Sequence, residues 1–189
     1  MLRAYIDFIV PIPALTGWNF IPYDWQYIFN RAGNIGLSLD RVSPTGKFEN
    51  FRLSNKAGIK LNARVPLHKI IYDYLAVYRN WDQSVAVKEN NTLDFVAEQV
   101  LGIKKVVHNM GFREFYDNYY KDYVFYNCVD SILVEQIDKK IKTSNVWFSL
   151  ASELKTDLNM AFSTIKPTEV VMTDFLYKDF KVIPSKKLS

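Results

Sequence analysis

Residues 16–33, TGWNFIPYDWQYIFNRAG, set Asn19 and Asp24 among aromatic and apolar residues that look suited to burial. A buried carboxylate is costly unless something pairs with it, so either Asp24 lies at a surface or a cation is expected beside it. The flanks narrow its place in the fold. ALTGWN (14–19) reads as a short strand ending in a loop, and DWQYIFNRAG (24–33) as a helix with Asp24 at or near its N-cap and Gly33 as its C-terminal stop. Asp24 is thus expected where a strand hands over to a helix.

Working outward, the rest of the chain alternates element types without repeats or low-complexity linkers. RAYIDFIV (3–10) predicts a short helix stopped by Pro11 and Pro13. SPTGKFENFRL (43–53) followed by GIKLNARVPL (58–67) predicts a hairpin or two sheet strands, and HKIIYDYLAVYRNW (68–81) a strand that turns into a helix. NTLDFVAEQVLG (91–102) has a Thr cap, apolar residues at Leu93, Val96, Ala97 and Val100 and a terminal Gly, which together predict a helix. From Glu114 to about Lys142, the spacing of Tyr123, Tyr126, Cys128, Ile132, Leu133, Ile137 and Ile141 predicts one or two helices, the second long. Residues 144–165 look helical, and 170–184 fit either helix or strand. Strands interspersed with helices predict an α/β sheet protein.

Composition bounds the function. The 189 residues, 49% hydrophobic and 15% aromatic, suffice for a sizeable core and argue against disorder. A lone Cys128 excludes an internal disulfide, and His68 and His108 lie far apart with no neighbouring Cys, so there is no zinc spacing. Any metal here would be oxygen-bound. No apolar run approaches the roughly 20 residues needed to span a bilayer, and the acidic residue and prolines of MLRAYIDFIVPIP do not suit a signal peptide. These features predict a cytoplasmic setting with no membrane partner. The net charge of +4 leans weakly towards polyanions, because only KDFKVIPSKKLS (178–189) forms a basic cluster.

A second pair lies in YKDYVFYNCVDSILVEQIDKK (120–140). Tyr126 and Asp130 are four apart and share one face of a helix. A phenol beside a carboxylate can position a water that a metal held by the carboxylate activates. On spacing alone, an ordinary amphipathic helix with Tyr126 in the core and Asp130 exposed is the favoured account of the pair, as a plain cap is of Asp24.

Order and flanks distinguish these readings. TGWNFIPYDWQYIFNR resembles the second exonuclease motif of family B DNA polymerases, in which an Asn is followed after a short gap by an aromatic residue and Asp, here Asn19, Tyr23 and Asp24. YNCVD, Tyr126 to Asp130, resembles the third motif of the same proofreading domain. The intervening residues are similar to the segment that links these motifs, and STIKPTEVVMTDFLYKDFKVIP (163–184) to the stretch leaving the exonuclease domain for the polymerase palm. The likeness is nearest to replicative polymerases of tailed bacteriophages and covers nearly the whole chain.

The resemblance implies a ribonuclease-H-like α/β fold on which four carboxylates hold two Mg²⁺ or Mn²⁺ ions for removal of 3′-terminal nucleotides. It implies that Asp24 and Asp130 bind metal, that Tyr126 orients the attacking water, and that Asn19 and Tyr23 lie beside the 3′ end of a single strand. The family's first motif, Asp-x-Glu, is not found: Asp7 is followed by Phe8 and Ile9. The expectation is therefore a central fragment, incomplete at its N-terminal strands, with residues 1–165 forming a partial 3′-5′ exonuclease domain and 166–189 a connection toward the palm. Such a fragment would be inactive alone, would need DNA and the remaining polymerase segments as partners, and would self-associate through an exposed sheet edge. If phage-encoded, it would act in the host cytoplasm. The alternative is a noncatalytic DNA-binding or assembly piece of a split polymerase.

Among the remaining residues, Asp73 is expected to be a buried, hydrogen-bonded carboxylate, with a place near the metal site as the other reading. Asp82, Asp94, Asp117, Asp122 and Asp138 are expected on solvated faces or at caps, and Cys128 in the core. Gly17 and Gly33 read as backbone accommodations rather than phosphate cradles, since no Gly-rich loop surrounds them.

Overall fold

The computed structural model describes residues 1–54, 60–81, 91–103, 110–156, 158, 161 and 166–178. It divides into two compact units, Met1–Ile141 and Lys142–Ser189. The first opens with α1 (Leu2–Ile9), whose Ile6 and Ile9 are buried and which Pro11 and Pro13 follow. Strand β1 (Ala14–Gly17) leads through a tight turn into a single π-type turn (Ile21–Trp25) and then α2 (Gln26–Asn34). After a short 3₁₀ turn (Asp40–Val42), β2 (Phe48–Ser54) and β3 (Lys60–Pro66) pair antiparallel, with Phe48 opposite Pro66 and Phe51 opposite Ala63. Strand β4 (Ile70–Asp73) then pairs parallel with β1 and runs straight into α3 (Tyr74–Trp81). The chain is thus a mixed α/β protein with, among the described residues, two small sheets.

The core explains this order. Ile6 and Ile9 of α1 meet Phe20, Ile21 and Trp25 of the turn, Ile28 and Ala32 of α2, Ala63 and Val65 of β3, and Ile71 of β4 in one apolar cluster. Burying each large side chain contributes about 1.5–3 kcal/mol, so elements that alternate in sequence are held on one centre. Lys69, itself buried, donates from Nζ to the carbonyls of Ile9 and Val10 at 3.0 and 3.1 Å, satisfying acceptors at the end of α1.

The helices after α3 follow their caps and stripes. Thr92 caps α4 (Leu93–Leu101) by accepting from the Phe95 amide at 3.4 Å, and Gly102 ends it in the left-handed region at φ 74°. Val96 and Ala97 are its buried pair. Helix α5 (Phe112–Asn118) precedes the long α6 (Tyr120–Ile141), which buries Leu133, Val134 and Ile137 and packs against α4 and α5. The second unit contains α7 (Thr143–Glu153), with Trp147 and Ala151 buried, and α8 (Lys166–Lys178). Residues 170–178, which fitted either helix or strand, are helical. Among the described residues no helix is long and apolar enough to cross a membrane.

Three sequence expectations need correction. Asp24 is not an N-cap: backbone dihedrals are already helical at Phe20, where Pro22 sits in the first turn, and Asp24 accepts no capping bond. The Trp25 amide instead reaches the Phe20 carbonyl five residues back at 2.8 Å, so the helix starts four residues earlier than the carboxylate suggests. Gly33 lies inside α2, and the left-handed residue beyond its end is Gly36, at φ 65°. Cys128 is exposed rather than in the core. It stands two positions from Tyr126, about 200° around the helix and away from the Leu133–Val134–Ile137 stripe.

Candidate functional site

The segment carrying Asn19, Tyr23 and Asp24 is fixed from beneath. Asn19 adopts a left-handed backbone at φ 55°, uncommon for a residue with a side chain, and its carbonyl accepts the Tyr23 amide at 3.2 Å. Gly17 leaves room for the fold-back, because a Cβ there would lie 3.3 Å from Phe20 side-chain atoms. Ile21 and Trp25 are fully buried, and the Trp25 indole donates to the Arg64 carbonyl at 2.7 Å. Between them Tyr23 projects outward, 70% exposed. The apolar flanks therefore act as the footing and Tyr23 and Asp24 as the outward face, with Asn19 half-buried.

Asp24 is exposed as a whole residue, yet protein mass around its carboxyl raises its pKa above the usual carboxylate value, opposed by a hydrogen bond from its own backbone amide. Solvent access limits that desolvation. Tyr5 of α1 shares the neighbourhood: burial raises its phenol, and the Asp24 charge raises it further. A cation beside Asp24 would relieve both effects.

The buried carboxylate of this region is Asp73, at the end of β4 opposite Gly17 of β1. Its Oδ1 accepts the Leu75 amide at 3.0 Å and its Oδ2 the Ile21 amide at 3.4 Å, with further hydrogen bonds from the Asn19 and Ala76 amides. Burial raises its pKa, and these amides pull it back down. The buried, hydrogen-bonded reading of Asp73 describes it.

Tyr126 and Asp130 stand on α6, both half-buried and one turn apart. The Tyr126 ring packs edge-on against Phe112 and Phe115 of α5, with centroids 6.5 and 6.1 Å away. One Asp130 oxygen, Oδ1, is buried, so this residue is less exposed than a plain solvated face requires. Asp138, two turns on, accepts the Tyr74 hydroxyl at 3.0 Å and so ties α6 to the start of α3. Sequence reading placed Asp138 on a solvated face or at a cap. No local pattern marks this bond, because the partners lie 64 residues apart. Asp117 pairs with Arg113 at 3.7 Å, while Asp82 and His108 lie outside the described residues.

Among the described residues, no three His, Cys, Asp or Glu side chains group so as to hold a metal ion. Two carboxylates on separate elements do not by themselves fit a two-cation site.

No family model matches the chain. The DNA-directed DNA polymerase of Escherichia phage RB69 is 28% identical over 190 residues, covering 97% of this chain and 20% of that protein. The DNA-directed DNA polymerase of Enterobacteria phage T4 is 27% identical over 190 residues, covering 98% of this chain and 21% of that protein. Among solved structures, the family B DNA polymerase from the hyperthermophilic archaeon Pyrobaculum calidifontis matches all of this chain and 24% of its own, with a TM-score of 0.66 at 18% identity. The chain spans about a fifth of the length of the two phage relatives. The phage polymerases and the archaeal fold support what the motifs imply, that this chain resembles one segment of a family B DNA polymerase.

Proposed function

We propose that the chain carries part of the metal-dependent 3′-5′ proofreading exonuclease of a family B DNA polymerase, on a ribonuclease-H-like fold in which residues 1–165 belong to the exonuclease and 166–189 lead toward the palm. Asp24 and Asp130 are its metal-binding carboxylates, Tyr126 orients the attacking water, and Asn19 and Tyr23 receive the 3′ end of a DNA strand. The observation that carries this reading is the segment directly after β1 that holds half-buried Asn19 and exposes Tyr23 and Asp24, together with Tyr126 and Asp130 one turn apart on α6, within the span aligned to the phage polymerases.

Exposed Tyr23 suits stacking on a terminal base or sugar. When bound, Mg²⁺ or Mn²⁺ supplies charge neutralisation and an activated water. The two motifs found in this chain account for two of the four carboxylates that such a pair uses, Asp24 and Asp130, so the 189 residues alone are expected to be inactive and to act with further polymerase segments. Among the described residues β1 and β4 pair only with each other, and outer strand edges of this kind favour self-association, which light scattering measures.

The test is release of labelled 3′ nucleotides from single-stranded DNA. The isolated chain should release none. Joined to a polymerase segment that supplies Asp-x-Glu, it should gain Mg²⁺- or Mn²⁺-dependent release, and Asp130→Ala should abolish it. Failure of the joined protein would favour a noncatalytic DNA-binding or assembly role.

A further inference from the structure

We propose that Asp73 and Tyr74, at the junction of β4 and α3, are the positioning pair of the candidate site: Asp73 holds the turn that presents Asn19 and Tyr23, and Tyr74 holds the helix that presents Tyr126 and Asp130. The inference rests on the site reading above and deepens it. Asp73 occupies the N-cap position of α3, where a side-chain oxygen ordinarily serves amides of the first helical turn, as it does here for Leu75 and Ala76. Capping alone would need no more. Yet Oδ2 also takes the Ile21 amide, 52 residues earlier in the chain, and the carboxylate reaches the Asn19 amide as well.

Asn19 has a left-handed backbone, which asparagine tolerates better than other residues with side chains but which still needs a partner to hold it in one place. The Asp73 carboxylate, bonded to amides at and after Asn19, holds the turn in that conformation. Trp18, the residue before, is fastened to the same helix: its ring lies 6.1 Å from that of Tyr74 and 5.8 Å from that of Tyr78, and its indole donates to the Asn91 carbonyl at 3.1 Å.

Tyr74 completes the pair. It is 1% exposed, and its hydroxyl reaches Asp138, eight residues and about 12 Å along α6 from Asp130. Two consecutive residues therefore reference both motif-bearing elements to one helix start.

The test uses the 189-residue chain, wild type and as Asp73→Asn and Tyr74→Phe, with Val96→Ala in α4 as a control for lost stability. Amide hydrogen exchange is read by NMR, and binding of a fluorescent single-stranded oligothymidylate with a free 3′ end is read by anisotropy without metal. Asp73→Asn keeps one acceptor and turns the other into a donor, so exchange at Asn19 and Ile21 should accelerate at least tenfold and the Kd should rise about tenfold. Tyr74→Phe should shift α6 resonances from Asp130 to Asp138 and leave exchange at Asn19 unchanged. Unchanged exchange at Asn19 and Ile21 in Asp73→Asn, or an equal loss of binding in Val96→Ala, would overturn the proposal. A wild-type chain that does not bind the oligonucleotide would overturn the site reading instead, and the exchange pattern alone would then decide whether Asp73 holds the turn.

Discussion

The two halves of the candidate site are built in opposite ways. The Asn19–Asp24 segment is irregular backbone made rigid, with one left-handed residue, a π-type turn, two fully buried anchors and a carboxylate beneath it. Tyr126 and Asp130 sit on an unbroken 22-residue helix and need no special backbone, because helical periodicity already puts them on one face. A site built on an irregular turn recruits distant residues to hold it. A site on a helix takes its geometry from the helix and depends only on where that helix docks.

That contrast is most easily broken at Trp25. Trp25→Ala removes a fully buried ring and the indole bond to Arg64, and should cost about 3–5 kcal/mol in urea unfolding. A loss under 1 kcal/mol would mean that the turn is not anchored through the core. Asp73→Ala strands backbone amides in the interior and should cost about 1–3 kcal/mol by the same measurement.

The pH dependence of stability sharpens the difference further. Asp73 and Asp24 both have carboxyl pKa values raised by burial, so the native state holds protons that the unfolded chain releases. Their contribution to stability should be fully present below the unfolded carboxylate pKa and be lost as pH rises through the raised native values. Asp73→Asn should flatten that decline. Lys69 works in the alkaline range with the opposite slope: burial lowers its pKa, so stability should rise as pH climbs from the native value towards the ordinary lysine value. Both slopes can be read from unfolding free energies across pH, in the mild acid range for the carboxylates and the alkaline range for the lysine.

On the α6 side, effects should be smaller. Tyr126→Phe keeps the ring against Phe112 and Phe115 and should change stability by less than about 0.5 kcal/mol, while abolishing nucleotide release in the joined protein. Smallest of all, Cys128→Ser should be neutral within about 0.5 kcal/mol, and the exposed Cys128 should react with a thiol reagent in the folded chain.

How much was legible follows the same division. The helix carrying Tyr126 and Asp130, the Thr92 cap with its Gly102 stop, the hairpin and the β4–α3 junction all follow from periodicity and local turn chemistry, which the sequence states directly. Asp24 was misplaced as a cap because an acidic residue before an apolar stripe is the ordinary sign of one, and nothing local shows that the helix begins at Ile21 with a π-type turn. Cys128 lies between Tyr126 and Asp130 and off their face, where a small cysteine is expected in the core, but its angle on α6 turns it away from the buried stripe to the surface. Asp138 was missed since its partner, Tyr74, lies 64 residues away. Long-range polar bonds leave no periodic trace.

The proposed site stands or falls with Asp24 and Asp130 sharing one set of ions. The most direct measurement is a crystal structure of the chain joined to an Asp-x-Glu segment and soaked in Mn²⁺, with anomalous scattering locating the ions. Two peaks about 3.5–4 Å apart, touched by both carboxylates and with Tyr126 on the same side, are expected. Either carboxylate on the opposite face of the sheet from the ions would contradict the shared site.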